Sequence, residues 1–534
     1  MVNSRAALLG FGTLFLCGML LGLPELMALR GAVRLPLQLV TGLCTAAILL
    51  ALSRRPIARS IPLLPVLVGA FFLALAVALT AAAIWPNSGD EYGYLYVTRT
   101  LLAGRFYNPL PPVPELFDFF WIAAKDGKTA SQYAPGWPAF LAPFFAAGMT
   151  AFANPLLLVA LGCLLLATLR RIGASQTTCA GLLTLILLAP FTIFNAASLF
   201  NHLLSAVAVM GVCWLQLRDE QGENFWNKVG LGVFLSVALV TRNEVFALTL
   251  LLLGFDILLR RRLKAFQAVI PVVVGALPLT LLWLIYTAAI TGSPFRTTQA
   301  WVAPQELAFG LPPLYNAADK QATYLLSLLA FTSIPLLLIY LNALWTKLRS
   351  STVRFYDALL PAAILFFVFY PAAGGHQYGP RYWFFAWPAV ALTIGSASAE
   401  AGGFIKLWRW RVHLPTLAVL QSAAYLSFII CFAVFLRDYV DNRRAVYATG
   451  VPVTPAVVLV PERQFRMSRW QAEPFKAEAQ DFTRNDLDFH NPVLYGRGDH
   501  PRFARIACSI PGRHVYLWEE PGTLRSVDCP PERP

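Results

Sequence analysis

The chain of 534 residues is 57% hydrophobic and only 13% charged, with a formal net charge of +14. Soluble globular domains carry about 25% charged residues, so these figures exclude an ordinary soluble domain and predict a polytopic membrane protein. The basic excess lies between apolar runs, not in one stretch, which argues against nucleic acid as a partner.

The first apolar run, 6–23, follows Arg5, lacks a small-residue cleavage site and is followed by further runs, so it is read as an anchor. Apolar segments fall at 6–29, 35–52, 61–84, 136–152, 155–169, 177–197, 200–217, 227–241, 243–259, 266–290, 322–345, 355–372, 383–398 and 414–436. Segments 136–152 and 155–169 are short and nearly continuous. Counting them as one crossing plus a shallow or re-entrant piece predicts an all-α protein of about 13 transmembrane helices.

Basic residues cluster at Arg54, Arg55 and Arg59; Arg170 and Arg171; Arg260, Arg261, Arg262 and Lys264; Lys347, Arg349 and Arg354; and Lys406, Arg409 and Arg411. The positive-inside rule makes these loops and the N-terminus cytoplasmic. The loop after residue 84, the turn at Arg242, the loops 291–321 and 374–381, and the tail from 437 then face outward. Arg30 and Arg34 are discordant with this alternation.

The chain divides into N-terminal helices (1–84), an external loop with short amphipathic helices (85–135), the remaining transmembrane core (136–436) and an external tail (437–534). Tyr92–Leu102 is expected as one of the amphipathic helices. Strand-like runs at Ala456–Val460, Pro492–Tyr495 and His514–Trp518 predict a small α/β or β domain in the tail. Cys508 and Cys529 both lie there, and an oxidising periplasm allows either a disulfide or free thiols.

No Walker or dinucleotide glycine loop, C-x-x-C motif or His-x-x-x-His spacing is present, so chemistry is sought among outward-facing polar residues. Asp90-Glu91 follows directly on the run 61–84, and two adjacent carboxylates are costly beside hydrocarbon. They serve catalysis, or they cap the helix that begins near Tyr92. Nucleotide sugars are absent outside the cell, so a sugar donor there would be lipid-carried with a phosphate leaving group. Inverting transfer needs a carboxylate base for the acceptor hydroxyl and cations for the departing phosphate.

Asp90-Glu91-Tyr92-Gly93-Tyr94-Leu95-Tyr96-Val97-Thr98-Arg99 resembles the first outer loop of GT-C glycosyltransferases, polytopic enzymes that use polyprenyl-phosphate sugars. Ser131-Gln132-Tyr133-Ala134-Pro135-Gly136-Trp137-Pro138, Thr241-Arg242-Asn243-Glu244, Gly292-Ser293-Pro294 and His376-Gln377-Tyr378-Gly379-Pro380-Arg381-Tyr382 are similar to later elements of the same family, in the same order. Protein O-mannosyltransferases and lipid A aminoarabinose transferases belong to it.

The resemblance implies that Asp90 is the general base and that Glu91 orients the acceptor or a neighbouring group. It makes Arg381, Arg242, His376 and Tyr382 the donor-phosphate set, and Tyr94, Tyr133, Asn201 and His202 the acceptor or sugar set. Each has a plainer reading beside it. Arg381 is also explained as an interfacial arginine that snorkels, Arg242 by an ion pair with Glu244, and His376 as a solvated or metal-binding loop residue. Asn201-His202 is also read as a helix cap with an interfacial histidine. Tyr133 also fits the aromatic belt, as Trp137 does.

The expected activity is transfer of a sugar from a polyprenyl-phosphate donor to a hydroxyl of a glycan, lipid or protein, at the outer face of a bacterial inner membrane. The metal requirement is left open, with a divalent ion possible. A transporter or flippase of lipid-linked glycans is the alternative; it predicts inverted repeats and midplane charges, and the sequence displays neither.

Overall fold

A computed structural model of the chain describes residues 13–14, 31–56, 61–82, 84–117, 121–219, 224–261, 265–304, 314–370, 378–397, 401–460, 464–465, 475–476, 485–498, 500–520 and 522–530. These fall into two compact units. One comprises 1–79, 151–282 and 308–433; the other comprises 80–150, 283–307 and 434–534.

The first unit is built of apolar helices. Around its centre, His202–Asp219 packs against both Ala153–Arg171 and Phe225–Thr241. The sequence sets where these helices begin. Asn224 accepts a hydrogen bond from the Trp226 N–H at 2.8 Å, and Ser175 caps Gln176–Leu187 through the Thr178 N–H at 3.2 Å. Each side-chain oxygen satisfies a backbone donor that the first turn of a helix leaves over. Lys347, one of the basic residues counted between spans, is buried and pairs with Asp357 at 2.6 Å.

Among the described residues, four helices are long and apolar enough to cross a membrane: Leu63–Thr80, Thr150–Arg171, Val269–Thr291 and Leu414–Ala448. Two bent pairs raise this to six if each pair is one span, short of the expected 13. The protein is accordingly a helical, multi-pass membrane protein with four to six such spans among its described residues. Several expected crossings are shorter or broken. The segment 322–345 bends by 113° between Lys320–Phe331 and Ile334–Arg349, where Ser333 caps the second helix and Pro335 lacks the N–H needed to continue the first. The segment 177–197 bends by 57° ahead of Pro190. The segment 383–398 becomes a 3-10 turn, Arg381–Ala386, followed by the helix Ala389–Ala397. Apolar composition set the sites of these segments, and proline and capping residues divided them. Most of segment 6–29 lies outside the described residues.

The second unit combines the loop 85–135 with the tail. Its four-stranded sheet has the order Thr523–Ser526, His514–Glu520, Ala456–Val460, Val493–Arg497. Ala456–Val460 runs parallel to both neighbours, and the outermost Thr523–Ser526 pairs antiparallel. Alternate residues of the central strand point to opposite faces. Val458 packs with Trp518, Tyr516, Ile122 and Tyr92, whereas Val457 and Leu459 pack with Leu116, Phe117, Phe503 and Val515. The tail's three expected strands are present. The sheet thus shares its core with residues of the loop 85–135. Cys508 and Cys529 form a disulfide, with Cα atoms 5.4 Å apart.

The loop itself holds the helix Gly89–Leu102, a 3-10 turn at Pro114–Phe117 and a hairpin of Ile122–Lys125 with Lys128–Ser131. The hairpin was not anticipated. Its signal is Asp126-Gly127, both at positive φ, the two-residue turn that matches the twist of paired strands. The following helix, Gly136–Ala146, has 11 residues, a length of roughly 16 Å and too short to cross hydrocarbon.

Candidate active site

Two groups of candidate side chains are present, one in each unit. The first centres on the acidic pair. Ser88 is the N-cap of Gly89–Leu102, and its Oγ accepts from the Glu91 N–H at 3.3 Å. Glu91 in turn accepts from the Asn87 N–H at 2.6 Å. Ser88 thus caps the helix, while the Glu91 carboxylate, 0% exposed, reaches back one residue past the cap to the Asn87 N–H, a variant of the capping-box pairing. Asn87 is held further by the Tyr439 hydroxyl, which donates to its carbonyl at 3.1 Å.

Asp90 is oriented differently. Half-buried, it accepts a hydrogen bond from the Tyr133 phenol at Oδ1. Burial, and then the neighbouring Asp90 charge, push the Tyr133 phenol well above its usual range, so it remains a donor. The Tyr133 ring lies over Gly93, where any Cβ would collide with it. Its other neighbour is Tyr94, with ring centroids 4.4 Å apart. The Tyr286 hydroxyl donates to the Tyr133 carbonyl at 3.2 Å, and Thr298 donates to the Gln132 carbonyl at 2.7 Å. Gly93, Tyr94 and Tyr133 thus shape one holder for a single carboxylate oxygen. Sequence reasoning missed the contributions of Gly93 and Asn87. Ser88 three residues before Glu91 was the readable signal for the cap.

The second group lies in the helical unit. Arg242 ends the helix Phe225–Thr241 in an extended conformation. Its Nε donates to Glu244 at 2.7 Å, and its Nη1 contacts His202 Nδ1. Arg381 opens the 3-10 turn after Gly379-Pro380. Gly379 has a φ of 96°, and a Cβ there would meet the Phe191 ring, so a side chain is excluded twice over. The Asn195 amide donates to the Tyr378 carbonyl at 3.3 Å and anchors this turn.

Arg381 and Arg242 both lie over the Tyr382 ring, at 5.6 and 5.2 Å from its centroid, and Arg381 also covers Phe200 at 4.3 Å. Tyr382 stacks on Phe367, with centroids 5.2 Å apart. Both arginines are buried, at 8% and 7% exposure. Arg242, Arg381 and Tyr382 are therefore together, and His202 joins them through Arg242. Asn201 donates to the Thr241 carbonyl at 3.2 Å. His376 lies outside the described residues.

Chemically, the first group offers an oriented carboxylate suited to accepting a proton. The second offers paired guanidiniums suited to an anionic oxygen. Among the described residues no three His, Cys, Asp or Glu side chains converge as a metal site would require.

No family model matches the chain, and no curated protein matches it. Solved structures do. ArnT from Cupriavidus metallidurans bound to undecaprenyl phosphate aligns with a TM-score of 0.54 at 13% identity, over 85% of this chain and 92% of that one. The apo state of the same protein aligns with a TM-score of 0.54 at 14% identity, over the same shares. The archaeal oligosaccharyltransferase AglB from Archaeoglobus fulgidus aligns at 11% identity over 85% of this chain and 69% of its own, with a TM-score of 0.47, a likeness too slight to argue from. This chain shares the fold of ArnT.

Proposed function

We propose that the chain is an inverting glycosyltransferase that moves a sugar from a polyprenyl-phosphate donor to an acceptor hydroxyl. Asp90 takes the hydroxyl proton as the acceptor oxygen attacks the anomeric carbon. The bond from that carbon to the phosphate oxygen breaks, and the lipid phosphate leaves with the bonding electrons, its charge met by Arg381 and Arg242. Tyr133 holds one Asp90 oxygen and so orients the carboxylate for the acceptor. Tyr382 keeps the two guanidiniums apart from solvent and in register. Glu91 contributes through the cap that sets the position of Asp90.

The observation that carries this reading is the pair of buried guanidiniums over one tyrosine ring, in a fold that ArnT shares. ArnT has been crystallised with undecaprenyl phosphate, and a guanidinium is the side chain best matched to phosphate oxygens. The charge alternation of the loops supports an outer-face reaction in a bacterial inner membrane, with the N-terminus cytoplasmic and the tail periplasmic. The acceptor class is a hydroxyl-bearing glycan, lipid or protein.

The test is transfer from radiolabelled undecaprenyl-phosphate sugars by the purified full chain in nanodiscs, beside Asp90→Asn and Arg381→Ala. Transfer by the wild-type chain, lost in Asp90→Asn, is the expected outcome. Undiminished transfer by Asp90→Asn sinks the base assignment, and absence of transfer with every such donor sinks the activity.

A further inference from the structure

His202 is 3% exposed and sits at the start of its helix between the rings of Phe200 and Tyr382, at 5.4 and 6.4 Å from their centroids. Its Nδ1 meets a guanidinium nitrogen of Arg242. A guanidinium has five N–H donors and no acceptor, and it stays charged in proteins. The contact therefore requires a lone pair on Nδ1. An imidazole with that lone pair is neutral and carries its proton on Nε2.

That Nε2 is buried and has no hydrogen-bond partner among the described residues. Buried polar groups are ordinarily paired, and leaving one unpaired is costly. Asn201 Oδ1, Thr241 Oγ1 and Asn243 Oδ1, on the two chain turns that meet here, are likewise buried without a partner among the described residues. Thr241 and Asn243 flank Arg242 in the chain; of these atoms the Thr241 hydroxyl, like the histidine N–H, can donate to an anion, whereas the amide oxygens only accept.

We infer that His202 is a neutral Nε2–H donor that hydrogen-bonds an anionic phosphoryl oxygen of the lipid-linked ligand, alongside Arg242 and Arg381. The inference rests on the phosphate reading of those two arginines and adds a third, uncharged contact to it. Arg242 sets the tautomer of the histidine, and the histidine extends the reach of the site by a directional N–H. A third cation at this position would crowd two buried guanidiniums; a neutral donor adds a hydrogen bond with no such repulsion.

Asparagine and glutamine separate the two ring nitrogens. The amide of Asn reaches about as far as Nδ1, and that of Gln about as far as Nε2. Binding of undecaprenyl phosphate to the full chain in nanodiscs is compared for the wild type, His202→Gln, His202→Asn, His202→Phe and Arg381→Ala, with inorganic phosphate and phosphatidylglycerol as further probes. The expected result is near wild-type affinity for the Gln variant and loss of about tenfold for Asn and Phe, the usual cost of one hydrogen bond to a charged group. Nitrogen-15 NMR, with the His202 signals identified by their loss in His202→Phe, should find Nδ1 unprotonated in the ligand-free wild type.

A protonated Nδ1 overturns the inference. So does retention of affinity by Asn with loss by Gln, which would make the Arg242 contact the whole role. Undiminished binding by His202→Phe while Arg381→Ala fails to bind overturns the histidine alone. A wild type that binds no undecaprenyl phosphate overturns the phosphate reading as well. Equal dependence on His202 for inorganic phosphate or phosphatidylglycerol overturns the assignment to the lipid-linked donor.

Discussion

The acidic group and the cationic group are assembled by different means. Asp90 is set largely by neighbours: Ser88 caps, Glu91 holds the Asn87 N–H, Gly93 yields space, and Tyr133 arrives from a segment linked by a short hairpin. Arg242, His202 and Arg381 come from three distant segments, and each is placed by a chain turn at the end of a helix or before a 3-10 turn. The Asp90 carboxylate is oriented by local backbone geometry together with one tyrosine from the next segment. An anion site needs several donors converging from different directions, which neighbours on one helix face cannot supply.

Five substitutions, with the histidine series above, test that contrast, from the largest effect to the smallest. Asp90→Asn keeps the shape of the side chain and removes its basicity, and should lower transfer by about 100-fold or more in a single-turnover assay. A small effect would reduce the acidic group to a helix cap. Arg381→Ala should weaken undecaprenyl-phosphate binding by about thirtyfold, within the range for charge-assisted contacts. Titration in nanodiscs measures this, and unchanged affinity would break the cationic half of the comparison.

Tyr133→Phe removes the hydrogen bond to Asp90, and Gly93→Ala displaces the same ring. Each should cut the transfer rate by about tenfold at unchanged lipid affinity. Equal losses in the two variants, with no further loss in the double variant, would show that both act through one holder; additive losses would separate them. Ser88→Ala should lower the stability of the Gly89–Leu102 helix by about 1 kcal/mol, the usual worth of an N-cap. Hydrogen exchange at the first turn reads this effect, and unchanged protection there would mean that Glu91 holds the turn alone.

Much of the acidic group was legible in the sequence because its parts are neighbours or belong to short motifs. Asp90, Glu91, Tyr94 and Tyr133 were named from adjacent residues, and Ser88-x-x-Glu91 was open to reading as a capping box. The cationic group was legible only in part. Arg242, Arg381 and Tyr382 were placed together through the resemblance, whereas the contact of His202 with Arg242 had no signal, because no spacing relates a histidine to an arginine 40 positions later. The expected 13 spans are not recovered among the described residues for a related reason. Hydropathy registers apolar length, but the break at Thr332-Ser333 and the bend before Pro190 depend on caps and a missing N–H inside apolar stretches.

By itself, the sequence determined membrane residence, helical class, the strands of the tail and the candidate base. These are properties of composition, periodicity and adjacent residues, which act over a few ångströms of chain. Only the tertiary structure decided that Tyr133 rests on Gly93 to hold Asp90, that the sheet of the tail and the loop 85–135 form one core, and that His202 faces Arg242. Those outcomes follow from packing between segments remote in sequence, where close contact and buried hydrogen bonding select one arrangement that no local pattern encodes.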